Sequence, residues 1–358
     1  MKPHSWIIGT ASALGLLGLA ATSGLVLLAH RFVDELSRPH QLLDKALLTW
    51  EVPAARPEPP LSQQRPLMFR AADGPLLCGE FWAQSQAAPT VVICHGYRVT
   101  RVELRPVAAL HYAFGYNVFL FDFRGHGESE SVATSGGSAE VADLETALTV
   151  AAQQPETLSG KIILHGFSMG AAIALLTPPH PQVAAIIADS PYAHLDTILR
   201  RIVQWRLTAD SAAWIPALHG LRQVFPALSW ATVATSTAVF RLRFGHALIA
   251  HPRNSFKRWQ ALRNAGSVAD VPAKTVPPIL LIHGVADELV PLSHAHQLVA
   301  AAQKHKVPLE VYFVEHARHC EAYKQNPQQY ISVLQQFVAH QLGDDFLLYQ
   351  ERKAMLPP

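Results

Sequence analysis

Lys161-Ile162-Ile163-Leu164-His165-Gly166-Phe167-Ser168-Met169-Gly170-Ala171-Ala172-Ile173-Ala174-Leu175-Leu176 joins two apolar runs through a serine framed by glycines two residues before and two after it. The first run has the length and branching of a buried strand, and the second is a small-residue helix former. A serine at such a strand-to-helix turn is presented with its Oγ exposed, and the glycines are needed because the turn leaves no room for side chains on either side. The N–H of Met169, at the start of the helix, then points at an oxygen acquiring negative charge. Ser168 is therefore the candidate nucleophile, and Met169 supplies a candidate oxyanion donor.

Outward from this stretch the pattern alternates. Thr90–Cys94, Asn117–Phe121, Ile162–His165, Val183–Ala188, Ile279–Ile282 and Leu309–Val314 read as strands, and Leu67–Trp82 as a hairpin around Asp73-Gly74. Helical segments fall around Leu104–Phe114, Ala139–Ala152, Met169–Leu176, His294–Lys304 and Gln328–Leu342. Continuous apolar strands with helical crossovers predict an α/β fold, a mostly parallel sheet covered on both faces. Such sheets carry their sites at the carboxyl ends of the strands.

Four further strand ends bear on the chemistry. In Val91-Val92-Ile93-Cys94-His95-Gly96-Tyr97 the Tyr97 N–H is the second candidate oxyanion donor, and His95 is expected to brace the loop. Arg124–Ser129 reads as a loop buttress. A free serine hydroxyl is a poor nucleophile, so a base and a group orienting it must follow. The acid candidate is Asp287 in Ile282–Pro291, with Glu288 as its neighbour and competitor. The base candidate is His319 in Glu315–Cys320, with His316 as its rival.

These stretches resemble bacterial α/β-hydrolases of the serine-aminopeptidase and lysophospholipase-like group, several of which carry an N-terminal membrane segment. The resemblance rests on His95-Gly96-Tyr97, Asp122–Ser129, Gly166–Gly170, Asp189-Ser190-Pro191-Tyr192, Leu281–Pro291 and His319-Cys320-Glu321-Ala322-Tyr323, spread over about Leu67–Leu342. It implies the α/β-hydrolase fold, hydrolysis of esters or amides, and His319 as base, since relatives carry small and aromatic residues three and four positions after the catalytic histidine. Arg318 departs from the glycine that relatives often place there. The resemblance also implies a helical cap over residues 193–277. That insertion is rich in aromatics, half of them expected to pack the cap itself, and holds eleven Lys and Arg against three acids.

The expected reaction is two-step acyl transfer by Ser168, Asp287 and His319 on a small-molecule or lipid ester. An aminopeptidase or amidase using the same residues, and a catalytically silent membrane-bound binding protein, are the alternatives. A net charge of +2 gives no footprint for nucleic acid, and three cysteines and 19 histidines without ligand spacing give no expected metal or cofactor.

Trp6–Ala29 is a run of 24 uncharged residues, about 36 Å as a helix, which predicts a single membrane-spanning anchor in residues 1–30 rather than a cleaved signal peptide. Arg31, Arg38 and Lys45 outnumber Lys2, whereas the short amino-terminal head behaves as in a signal anchor. An extracytoplasmic catalytic domain is the expectation taken from these opposed cues. Residues 31–66 are expected to form a short amphipathic helix over Arg31–Trp50 and a proline-rich spacer, the catalytic domain to span 67–342, and 343–358 to form a tail.

Overall fold

Strands that are apolar on every residue have no solvent face to offer, so they must lie inside a sheet covered on both sides. The computed structural model describes residues 22–39, 56–214, 223–264 and 276–343, with the backbone alone over 209–214. Its eight strands are β1 (Gln64–Arg70), β2 (Leu76–Trp82), β3 (Ala88–Cys94), β4 (Asn117–Phe121), β5 (Thr157–Phe167), β6 (Val183–Asp189), β7 (Ile279–Gly284) and β8 (Leu309–Val314). They form one sheet in the order β1-β2-β4-β3-β5-β6-β7-β8, antiparallel only where β2 meets β1 and β4. Every residue of β3, β4 and β7 is buried, while β1 at the edge alternates. The hairpin closes through Gly74 at φ 120°, a conformation glycine adopts without strain.

Helices α2 (Arg105–Ala113), α3 (Glu140–Ala152), α4 (Met169–Leu176), α8 (Ser293–Lys304), α9 (Ala322–Gln325) and α10 (Pro327–Leu342) accompany the sheet. Between β6 and β7 the cap contributes α5 (Leu195–Trp214), α6 (Phe225–Phe244), a 3-10 turn at Pro252–Asn254 and α7 (Ser255–Asn264). Phe225, Phe240 and Trp259 are buried, whereas Trp205 and Trp230 stay largely exposed. The parallel register aligns Cys94 with Gly166, Phe167 with Asp189, Asp189 with Ile282, and Gly284 with Val314. One row of strand ends thus sets out the nucleophile turn, the acid loop and the start of the histidine loop.

The amino-terminal helix differs from expectation. Helix α1 runs over 22–37, not Arg31–Trp50, and the rest of that stretch, 40–50, lies outside the described residues. Ala29, Phe32 and Val33 are buried, with Leu36 packed against the same core. Positions 29, 32, 33 and 36 repeat at helical spacing, so one stripe of α1 docks on the folded body. The Thr134 N–H donates to the Ser37 carbonyl at 3.1 Å, and Arg206 and Arg243 of the cap pair with Glu35 and Asp34. The anchor expected over Trp6–Ala29 falls mostly outside the described residues. Among the described ones, no helix is long and apolar enough to cross a membrane.

Candidate active site

Ser168 occupies the turn between β5 and α4 with φ 51° and ψ −112°, a conformation costly for a side-chain-bearing residue. Its flanking glycines are obligatory on sterics: a Cβ on Gly166 would lie 2.6 Å from the Ala171 backbone, and one on Gly170 would lie 2.2 Å from the Cys94 carbonyl oxygen. The turn is held from the next strand by the Ser168 N–H donating to the Asp189 carbonyl at 2.8 Å.

His319 brings Nε2 to 2.8 Å from Ser168 Oγ and Nδ1 to 2.7 Å from Asp287 Oδ2. The other carboxylate oxygen of Asp287 accepts the Val290 N–H at 2.7 Å. Both carboxylate oxygens are thus occupied, and the side chain has no rotational freedom left. Glu288 is exposed beside it, and His316 is exposed on the far side of its loop at φ 61°. Among the described residues, no hydrogen bond or ion pair joins either competitor to Ser168 or His319. The acid and histidine loops meet at Gly284, where a Cβ would fall 2.3 Å from the Ala317 carbonyl oxygen. His283 donates from Nε2 to the Val290 carbonyl at 2.8 Å, and burial lowers its pKa, so a neutral ring braces the acid loop.

The residues of both predicted oxyanion donors line the cavity onto which Ser168 opens. Met169 opens α4, so its N–H is one of the four that an α-helix leaves unpaired. Tyr97 lies on the loop after β3, and His95 holds that loop as expected: Nδ1–H donates to the Gly96 carbonyl at 2.7 Å while Nε2 accepts the Phe123 N–H at 2.9 Å. Burial lowers the His95 pKa, in keeping with its acceptor role. The Arg124 guanidinium grips Asp143 and Asp73, so Arg124–Ser129 serves as the expected buttress.

Two parts of the site escaped the sequence reading. Behind the histidine loop, Tyr330 of α10 donates to Asp189 Oδ2 at 3.1 Å, and Ser190 Oγ donates to Asp189 Oδ1 at 2.8 Å while accepting the Cys320 N–H at 3.1 Å. Ser190 and Cys320 both have φ 55°, so two strained residues lock the segment next to His319. Asp189-Ser190 stood in a matched stretch, but nothing in its composition announced a bond to α10. The second part is the wall of the cavity in front of Ser168. That cavity has a volume of about 370 Å³ and is lined by Leu195, Ile198, Leu199 and Trp205 of α5, by Tyr97, and by Phe32, Glu35 and Leu36 of α1. The amphipathic spacing of Phe32 and Leu36 was readable, but which surface it faced was not.

A family model described as serine aminopeptidase, S33 (Hydrolase_4), matches residues 85–321, which include Ser168, Asp287 and His319. The chain belongs to this serine aminopeptidase family. It is similar to Bacillus subtilis YqkD, at 27% identity over 252 residues and 70% of each chain, and to a monoacylglycerol lipase of Mycolicibacterium smegmatis, at 24% over 250 residues, 68% of this chain and 86% of the lipase. Among solved structures, the Pyrococcus furiosus esterase Pf2001 superposes with a TM-score of 0.56 at 24% identity, covering 77% of this chain and 90% of the esterase. That likeness shows the fold, which is the α/β-hydrolase fold. As a member of this family on this fold, the chain is a serine hydrolase.

Proposed function

We propose that the chain hydrolyses carboxylic esters carrying a single long acyl chain, through an acyl-enzyme on Ser168. The observation that carries this reading is the Ser168–His319–Asp287 hydrogen-bonded line opening directly onto a cavity walled by Phe32, Leu36, Ile198, Leu199 and Trp205. His319 takes the serine proton as Oγ attacks the carbonyl, and Asp287 holds the Nδ1–H tautomer and stabilises the imidazolium. The amides of Met169 and Tyr97 receive the oxyanion, each such donor being worth about 10²–10³ in rate. His319 returns the proton to the leaving alkoxide and then activates the water that releases the acid. The relatives that include a monoacylglycerol lipase favour the same substrate class.

The family description favours a second reading, removal of amino-terminal residues from peptides. Such a substrate brings a cationic amine that needs an uncompensated carboxylate. Glu35 is the carboxylate on the cavity wall, and Arg206 neutralises it through both oxygens. The arrangement therefore favours the ester. Fluorophosphonate labelling of the full chain tests the reading, with a p-nitrophenyl ester series and an aminoacyl-nitroanilide series alongside. Labelling lost in Ser168→Ala, with turnover of esters but not nitroanilides, is the expected result; labelling that survives Ser168→Ala refutes the assignment.

A further inference from the structure

His194, Asp196 and His251 lie at the base of the cap, away from the triad's hydrogen bonds. His194 immediately precedes α5, Asp196 is in its first turn, and His251 precedes the 3-10 turn at Pro252–Asn254. The two strands of backbone are tied by the Leu195 N–H donating to the Ala250 carbonyl at 3.0 Å. One donor atom from each of the three side chains lies within 4.8 Å of the other two. The Nδ1 atoms of His194 and His251 are 3.0 Å apart, and His251 Nδ1 is 4.0 Å from Asp196 Oδ1.

Hydrogen bonding among these groups cannot satisfy them all. The Nδ1 atoms of His194 and His251 face each other at hydrogen-bond distance, so one of them carries the proton and the other presents a lone pair. One proton serves the two rings, whichever holds it, and Asp196 Oδ1, shielded from solvent, accepts no hydrogen bond among the described residues. Three lone pairs converge with at most one proton among them. A cation resolves the conflict.

We propose that His194, Asp196 and His251 form a site for a divalent transition ion, Zn²⁺ being the natural occupant, which clasps the start of α5 to the segment that leads into the 3-10 turn at Pro252–Asn254. Two imidazoles and one carboxylate oxygen suit Zn²⁺ or Co²⁺ and not Ca²⁺ or Mg²⁺, which want oxygen ligands. Tetrahedral ligands at about 2.0–2.1 Å stand about 3.3 Å apart, a value bracketed by the 3.0 and 4.0 Å separations. Arg200, which holds Asp196 Oδ2 at 2.8 Å, and Arg253 near His194 oppose the ion and keep its binding moderate. Because α5 also lines the cavity, the ion stiffens a wall of the active site without touching Ser168 or His319.

Titration of tag-free full-length protein with Co²⁺ tests this. One equivalent with visible d–d bands, displaced by one equivalent of Zn²⁺, is expected, with binding weakened at least about a hundredfold in His251→Ala and at least about tenfold in Asp196→Asn, since even outer partners of a ligand cost about 10–100-fold. X-ray absorption on Zn²⁺-loaded wild-type protein should count two imidazoles, a readout that needs no variant to fold. Absence of saturable binding below about 1 mM, fewer than two imidazoles, or unchanged binding in both substitutions overturns the site.

Discussion

If α1 is a wall of the acyl cavity, replacing Phe32 and Leu36 with alanine must change chain-length preference and not catalysis as such. The two residues stand one turn apart, so the wall they form is about 5.4 Å long, roughly the length of four methylenes of an extended chain. Each methylene buried is worth about 0.8 kcal/mol, and about 1.4 kcal/mol is a decade in rate, so wild-type kcat/KM should rise about fourfold per added carbon until the chain has passed α1. Removing the wall exposes up to four methylenes, an upper bound of about 3 kcal/mol, or some two-hundredfold. The packing lost by α1 pushes the same way, because Phe32 is buried and the Asp34 and Glu35 ion pairs are half exposed, worth about 0.2–1 kcal/mol each. A p-nitrophenyl ester series from acetate to laurate, run on the Phe32→Ala/Leu36→Ala double variant, should show acetate and butyrate within about twofold of wild type and long esters down by about 10- to 200-fold. A uniform loss at all lengths means the substitutions damaged the triad, and an unchanged long-chain preference means the chain runs elsewhere; either result refutes the reasoning.

Substituting His319 with alanine should lower kcat by about 10⁴–10⁶, comparable with loss of the serine, while His316→Ala costs less than about tenfold, because only His319 reaches Oγ; the reverse ranking in steady-state assays removes the assignment. The Asp189 carboxyl, pushed up to about 6 by complete burial, keeps its proton in the folded chain between about pH 4 and 6, where the unfolded chain, with its ordinary value of 3.8, has lost it. Its contribution to stability therefore falls as pH rises through that window, by on the order of 2–3 kcal/mol. Asp189→Asn should flatten that fall and raise the melting temperature at pH 8, and a variant with the wild-type slope in a thermal scan from pH 4 to 8 contradicts the reading. The anchor proposed over Trp6–Ala29 predicts that full-length chain stays with membranes through carbonate washing while a chain beginning at Arg56 does not, and release of the full-length chain by carbonate or high salt counts against it.

The sheet was legible because its signals are local, and so were the residues proposed for the triad. Strand runs such as Val91–Cys94 and Ile279–Ile282 announce burial by composition, and Gly166-Phe167-Ser168-Met169-Gly170 encodes a turn whose geometry admits little else. Asp287 and His319 were sought by chemistry, since a serine needs a base and the base needs an orienting carboxylate, both at strand ends, and the family resemblance favoured His319. What remained open at each was a choice between neighbours, Asp287 against Glu288 and His319 against His316. In the structure Asp287 and His319, and not their neighbours, lie in the hydrogen-bonded line to the serine. A left-handed residue at His316 turns its side chain outward and brings His319 round to the serine, and no propensity scale encodes such a turn for a histidine.

The parts that could not be read are those whose partners lie far along the chain. Tyr330 meets Asp189 across 141 positions, Glu35 meets Arg206 across 171, and His251 faces His194 across 57. For α1 the consequence is functional. An uncharged run followed by Asp34 and Glu35 reads naturally as an anchor and its flank, a view in which the carboxylates only meet solvent. Docked on the cap, the same two carboxylates answer part of its excess of Arg, the apolar stripe between them lines the cavity, and Val26, Leu27 and Leu28, which belong to the uncharged run, remain partly exposed on the same helix. A lipid ester held by its acyl chain along Phe32 and Leu36 would then lie on a helix whose other end carries the proposed anchor. Location and chain selectivity would depend on one element, so substitutions in α1 should change both, whereas substitutions in α5 that spare the Glu35 contact should change selectivity alone.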